Sequence, residues 1–290
     1  MRSGLKSGTR MSQLDHAQQS DKAERFRALH RGPKVLVLPN AWDVVSARIF
    51  EEAGAAAIAT TSAGVAFTLG YPDGQKISRD LMLAAVARIA AKVKVPVTAD
   101  VESGYGHRPE DAAETARAVI EARAVGLNVE DAVHDRRGAL IDLSLQLEKI
   151  AAIREIGKQL GVPLVVNART DVYLLAFGEP ESRYDEAVRR LAAFRDAGAD
   201  CLFAPGVRDI STIGRLVRDL AHPVNILAGP GSPSIPELQK VGVARVSLGS
   251  SAMRATLGLA RRIGQEVLSE GTYRALADAP SHTEVNGIME

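Results

Sequence analysis

Between Lys34 and Leu248, a short β-branched run recurs eight times, and each run is followed by a stretch of helical period. No other feature limits the possible folds as much. The extended runs are Val35–Leu38, Ala56–Ala59, Val97–Asp100, Gly126–Val129, Leu164–Ala168, Cys201–Ala204, Val224–Leu227 and Arg245–Leu248. Helical stretches lie near Asp43–Ala53, Arg79–Lys92, Pro109–Ala124, Leu143–Leu160, Tyr184–Ala197, Ile210–Leu220 and Ser234–Val241. A last helical region runs from Ser250 to about Ala277. Small residues or glycine precede many of the runs, as in Ala53-Gly54-Ala55 and Ala197-Gly198-Ala199, which suits a helix end turning into a strand.

Strands that alternate with helices pair in parallel through right-handed crossovers. Eight such units close an α/β (β/α)8 TIM barrel, whereas an open doubly wound sheet usually needs fewer. A chain of 290 residues is long enough for one barrel, which typically takes about 250. No linker interrupts the series. The expected organisation is therefore an N-terminal tail and leading helix over residues 1–30, then a single barrel domain over 31–290.

Composition narrows the function classes. Lys plus Arg total 36 and Asp plus Glu total 35, so the net charge of +1 gives no general pull toward nucleic acid or anionic membrane. No run of about 18 apolar residues is present. The first twenty residues are polar and lack the apolar centre of a secretory signal; they read as a tail, or as an upstream start before Met11. The single cysteine, Cys201, can form neither an internal disulfide nor a Cys-rich zinc site, and the expected location is the reducing cytoplasm.

Barrel active sites sit at the C-terminal ends of the strands. Polar and charged residues gather there: Asn40, Asp43, Thr60, Thr61, Ser62, Asp100, Glu102, Glu130, Asp131, Arg169, Thr170, Asp171 and Asn225. In an extended segment Asp100 and Glu102 would share a face, and Glu130 on the next strand would add a third carboxylate. Like charges that close favour a cation between them, and an all-oxygen set favours Mg²⁺ or Mn²⁺. The alternative is pairing of these acids with rim arginines. Arg169 offers a fork for a carboxylate or phosphate, or a salt bridge to Glu130 or Asp171, and the two roles can coexist. Thr60–Gly64 reads either as an anion cradle or as a plain polar turn. His134 is the most suitable acid–base residue of the loop after Glu130, against a reading as a solvated surface histidine. Trp42 fits a pocket wall and core packing equally.

Taken in order, Leu38–Asp43, Thr60–Gly64, Gly70–Asp73, Ala99–Gly106, Asn128–Asp131, Asn167–Asp171 and Arg245–Ser250 resemble the isocitrate lyase/phosphoenolpyruvate mutase superfamily over roughly residues 35–275. The resemblance implies a barrel whose last helix is swapped between subunits, a homo-oligomer (dimer or tetramer), bound Mg²⁺ and a small carboxylate substrate. It implies Asp100 as the main metal-side carboxylate, Glu102 in place of a second aspartate, Glu130 as a metal-shell acid acting through water, and Asp73 as an acid reaching toward the metal. Arg169 matches the substrate-binding arginine, and Thr61, Ser62 and Ala63 match the substrate-binding loop.

Two departures matter. Family lyases carry a cysteine acid in the loop after the fourth strand, but here that loop is Asp131-Ala132-Val133-His134-Asp135-Arg136-Arg137-Gly138. The Lys and Asn of the phosphonomutase gating loop are also missing. The expected activity is a Mg²⁺-dependent lyase that cleaves or decarboxylates a small 2-oxo or 2-hydroxy dicarboxylate through an enolate. The alternatives are phosphonomutase or P–C hydrolase chemistry, or a catalytically silent carboxylate-binding barrel.

Overall fold

The computed structural model describes residues 13–136 and 138–290; the segment read as a tail before Met11 lies outside them. Nine parallel strand segments form one sheet: β1 (Leu36–Leu38), β2 (Asn40–Ala41), β3 (Ile58–Thr60), β4 (Val97–Asp100), β5 (Gly126–Glu130), β6 (Val165–Arg169), β7 (Cys201–Phe203), β8 (Val224–Leu227) and β9 (Arg245–Ser247). Their spatial order is β1-β9-β8-β7-β6-β5-β4-β3-β2. The two ends of that order are neighbours in sequence. β1 pairs with β9 and β2 pairs with β3, separated only by Pro39, which has no N–H to continue a ladder. The nine segments are thus eight barrel strands, and the (β/α)8 TIM barrel read from the sequence is the fold observed.

The helices are α1 (Gln13–Leu29), α2 (Val44–Glu52), α3 (Ser62–Thr68), α4 (Arg79–Ala90), α5 (Pro109–Glu121), α6 (Leu143–Gln159), α7 (Arg183–Asp196), α8 (Ile210–Leu220), α9 (Ile235–Lys240), α10 (Ser251–Ser269) and α11 (His282–Met289). Their apolar residues recur at helical spacing and face the barrel wall. Ala112, Ala116, Val119 and Ile120 of α5 are buried, as are Ile213, Leu216 and Leu220 of α8. The small alanines let helices approach the sheet closely, which explains how a chain with only 4 % aromatics fills its core.

Helix α1 seals the N-terminal end of the barrel. Gln19 Nε2 donates to the Ile120 and Ala124 carbonyls, each at 2.9 Å, and so caps the end of α5. Arg27 donates to Asp200 at 2.8 Å and to the Pro163 carbonyl at 2.8 Å. Phe26 packs on Gly126, where a Cβ would lie 2.9 Å from the Phe26 ring and 2.9 Å from the Val165 carbonyl. The start of β5 therefore has room only for glycine.

Three elements depart from expectation. Thr60–Gly64 is not a turn, because Thr61 caps the seven-residue helix α3. The last helical region ends at Ser269 rather than near Ala277. Gly271 there takes a φ of 66°, and the Glu266 carboxylate accepts from Thr272 Oγ1 and the backbone N–H groups of Arg274 and Ala275, which turns the chain back. Helix α11, which no periodicity announced, lies along α2, and Arg48 Nε donates to the Ile288 carbonyl at 2.6 Å.

His30, at the end of α1, makes stability depend on pH. It is 5 % exposed; Nδ1–H donates to the Phe26 carbonyl at 2.9 Å, and Nε2 has no partner among the described residues. Burial, with Arg245 nearby, pushes its pKa down to about 4. The unfolded chain therefore binds more protons than the native one between about pH 4 and 6.5, and stability falls as pH drops through that window. The full effect is about 3 kcal/mol. Urea unfolding at pH 7 and pH 4.5 should show this loss in the wild type and a clearly smaller one in His30→Phe.

Candidate active site

Along several strands, polar side chains two residues apart share the inner face: Thr98 and Asp100 on β4, Asn128 and Glu130 on β5, Asn167 and Arg169 on β6, Arg245 and Ser247 on β9. Register sets them side by side. Asp100 is level with Asn128, Asn128 with Asn167, and Glu130 with Arg169. Asn167 Nδ2 donates to Asn128 Oδ1, and Asn128 Nδ2 donates to Asp100 Oδ1, both at 2.9 Å. A cavity of about 180 Å³ opens above this ladder. Asn40, Thr61, Ser62, Ala63, Asp73, Asp100, Arg169, Asn225 and Arg245 are among the residues lining it.

Among the described residues, Asp100 is held by neutral donors alone. Ser62 N–H and Oγ–H donate to its Oδ2 at 3.0 and 2.8 Å. In the first turn of α3, read from sequence as an anion cradle or a polar turn, Ser62 is thus turned to the protein's own carboxylate, while Ala63 lines the cavity. Thr61 Oγ1 accepts from Gly64 N–H at 3.4 Å, and a Cβ at Gly64 would meet the Thr61 methyl at 2.6 Å. Asp73 stands at the cavity mouth, its residue largely open to solvent; partial desolvation of the carboxyl by the groups around it and then the Asp100 charge push its pKa upward.

Glu102 does not share the face of Asp100. The strand ends at Asp100, and Glu102 takes a left-handed φ of 51°, so the alternation stops there. Its carboxylate accepts from Gln75 N–H and lies 3.5 Å from the Tyr105 hydroxyl and 3.6 Å from His134 Nε2. Burial, then Glu130 and Asp100, push its pKa up to about 8. Lys149 fixes this loop from below, donating to the Ser103 and Gly106 carbonyls at 2.9 and 2.7 Å.

Glu130 and Arg169 form a second cluster. Arg169 Nη1 lies 2.6 Å from Glu130 Oε2, while its Nε and Nη2 donate to the two Asp171 oxygens at 2.5 and 2.8 Å. Burial opposes the Arg169 charge, but Asp171 and Glu130 outweigh it and keep the guanidinium protonated. Asp171 is braced in turn by Asp131, which accepts from Asp171 N–H at 2.9 Å and Thr170 Oγ1 at 2.8 Å and faces Arg190 at 3.2 Å. His134 belongs to this cluster and is no solvated surface residue. Its Nε2 lies 3.0 Å from Glu130 Oε1, close but out of line for a hydrogen bond, so the contact becomes an ion pair when the imidazole is protonated. Burial disfavours the imidazolium, yet Glu130 and then Glu102 outweigh it and raise the pKa.

The four acids therefore fall into two sets: Asp100 and Asp73 on the cavity, Glu102 and Glu130 around His134. Among the described residues no three His, Cys, Asp or Glu side chains are arranged to hold an ion by themselves. Mg²⁺, however, commonly takes one or two carboxylates and completes its shell with water and substrate oxygens. Two carboxylates face one cavity here with no cationic side chain of the described residues hydrogen-bonded to either, which fits a hard cation.

Other candidates separate clearly. Asn225 is fully buried on the cavity wall and donates to Ser247 Oγ at 3.1 Å. Trp42 lies outside that cavity, packed edge-on against Phe50 at 6.3 Å, because the chain leaves the strand at Ala41 to enter the capping box of α2. Cys201 is fully buried at the start of β7, and burial pushes its thiol up to about 12. Asn128, Asn167 and Arg245 were not singled out as site residues from sequence. Their signal was present: polar residues spaced two apart within otherwise apolar strands.

The profile of the phosphoenolpyruvate phosphomutase family matches residues 26–268. An uncharacterised protein of Mycobacterium tuberculosis is 37 % identical over 242 residues, covering 83 % of this chain and 88 % of that one. The 2-methylisocitrate lyase of Escherichia coli is 26 % identical over 264 residues, covering 87 % and 86 %. Among solved structures, a Burkholderia cenocepacia J2315 protein provisionally described as a lyase/mutase superposes with a TM-score of 0.87 at 40 % identity, covering 93 % of this chain and 96 % of that one. With a match across most of the barrel and the rim residues in the order described, the chain belongs to the phosphoenolpyruvate phosphomutase family, within the isocitrate lyase/phosphoenolpyruvate mutase superfamily.

Proposed function

We propose that the protein is a Mg²⁺-dependent carbon–carbon lyase that cleaves or decarboxylates a small 2-oxo or 2-hydroxy dicarboxylate through an enolate. The observation that carries this reading is the pair Asp100 and Asp73 on one rim cavity, beside the half-buried cation Arg169. Asp100, with Asp73 across the mouth, would hold the ion; Mn²⁺ would satisfy the same oxygens. Bound there, the ion would serve as a Lewis acid for charge developing on the substrate's 2-oxygen. Relatives named 2-methylisocitrate lyase and a structure of 2,3-dimethylmalate lyase, 26 % identical with a TM-score of 0.82, support carbon–carbon chemistry.

The chain's own residues supply the rest. Arg169, locked by Asp171 and Glu130, adds a fixed positive field near the developing enolate rather than a free fork. His134, whose protonated form Glu130 and Glu102 favour, would act as the acid where other lyases use a loop cysteine. In decarboxylation CO₂ leaves, the electron pair passes into the enolate, and one proton returns to carbon. That sequence needs no thiol.

We also infer a homo-oligomer, dimer or tetramer, built through the C-terminal helical region. Helix α10 buries only Met253 and leaves Leu257, Leu259 and Leu268 exposed, the last at 89 %. On the barrel, Val37 of β1 is 39 % exposed and edges an apolar groove of about 790 Å³ that also includes Leu29, Val35 and Phe50. A helix from a second copy fits that gap. Sedimentation at micromolar concentration should give a dimer or tetramer; a folded monomer would contradict the assignment.

Two further experiments test the chemistry. Oxaloacetate, 2-methylisocitrate and phosphonopyruvate, each with and without Mg²⁺, should show metal-dependent turnover of a carbon–carbon substrate. Asp100→Ala should abolish Mg²⁺ binding by calorimetry, and turnover of phosphonopyruvate alone would overturn the lyase reading. Arg169→Ala should lose at least about 100-fold in kcat/KM, the equivalent of about 3 kcal/mol of transition-state stabilisation. Cys201→Ser should keep most activity, and thiol reagents should not inhibit the native enzyme. The reverse ranking in folded variants would disprove the mechanism.

A further inference from the structure

The two cations on the cavity lining, Arg169 and Arg245, are not alike. Arg169 turns three of its five N–H groups toward Glu130 and Asp171, so its charge is already balanced by carboxylates of the chain. Arg245, at the start of β9, differs. It is 2 % exposed and lines the same cavity, yet its Nε and Nη1 meet no acceptor among the described residues. A buried guanidinium without a carboxylate is rare, because desolvation is then offset by nothing in the chain.

Its surroundings are equally unfinished. Asn225, level with it on β8, leaves Oδ1 unpartnered. So do Asn167 at Oδ1 and Thr98 at Oγ1, both also on the cavity lining. The remaining charged and titratable groups facing Arg245 are His30 beneath it, the Cys201 thiol, and Asp100. A floor that offers a guanidinium and a hydroxyl as donors and two amide oxygens as acceptors complements a carboxylate that carries a hydroxyl beside it.

We infer that Arg245 is the anion-recognition residue of this cavity, taking a carboxylate of the substrate at its floor, with Thr98, Asn167 and Asn225 around it. The inference rests on the cavity being the substrate site proposed above. Burial lowers the Arg245 pKa to about 10, which still leaves it charged at neutral pH. The cost of keeping that charge unpaired in the free protein is the mark of a binding residue; a structural arginine would have its partner in the chain.

Calorimetry with oxalate and malate on the full-length protein, in EDTA so that no metal contributes, tests this directly. Both should bind, malate more tightly because its hydroxyl can donate to the amide oxygens, and Arg245→Met should weaken each at least about tenfold, the loss expected for one charge-assisted hydrogen bond. Arg245→Lys should recover part of that loss. The free Arg245→Met protein should melt higher than wild type, because an unpaired buried charge has been removed; loss of a purely structural arginine would lower the melting point. Should Arg245→Met not fold, Arg245→Lys and Thr98→Val carry the test, and both should weaken oxalate. Unchanged affinity in these variants, or no oxalate binding by the wild type, overturns the inference. Neither turnover nor metal enters the measurement, so failure of the lyase reading would show separately, as absent Mg²⁺-dependent activity with Arg245-dependent oxalate binding intact.

Discussion

The rim of this barrel depends on how one guanidinium, Arg169, is shared between two buried carboxylates. Burying a carboxylate inside a closed parallel sheet is costly, and Arg169 is the cation set against that cost at Glu130 and Asp171. Arg169 meets Glu130 through Nη1 and Asp171 through Nε and Nη2. That division leaves Glu130 Oε1 free to draw in His134 at 3.0 Å. The loop carrying His134 is closed at its base by the Ala132–Leu140 bridge, so the imidazole is presented by backbone on one side and by charge on the other. Asp131 and Arg190 brace the same assembly from behind, which makes the end of β5, the end of β6 and helix α7 one electrostatic unit.

Asp100 is treated in the opposite way. Its oxygens receive a backbone N–H, a serine hydroxyl and an asparagine amide, all neutral. Neutral donors orient a carboxylate without cancelling its charge, so Asp100 keeps its attraction for a cation. The left-handed step at Glu102 maintains the separation by carrying a nearby carboxylate away from the cavity and toward His134. Gln75 links the two groups, since its backbone N–H is donated to Glu102 while Asp73, two residues earlier, borders the cavity.

The barrel's architecture could be read from the chain because each strand and helix carries its own periodicity. Strand starts agree with the structure to within two residues, and Pro39 accounts for the one interrupted strand. Helix α3 was missed because Ser62–Thr68 has no amphipathic stripe: it is buried through most of its length and is begun by a cap at Thr61. Helix α11 was missed because the contact that seats it, Arg48 to the Ile288 carbonyl, spans 240 positions and leaves no local trace.

The sequence by itself determined that polar residues would crowd the C-terminal rim, because the position of a residue in its strand decides which end it occupies. It could not decide which of those residues would meet. Asp100 and Glu102 are two apart in sequence, but a single φ of 51° sends their carboxylates to different clusters. Arg169 could have been free or paired, and only register across β5 and β6 sets Glu130 beside it. Arg245 reads in the sequence as one more charge in an apolar run. That its Nε and Nη1 meet no acceptor among the described residues emerges only when the barrel closes, because burial and pairing are properties of the whole enclosure rather than of any segment of chain.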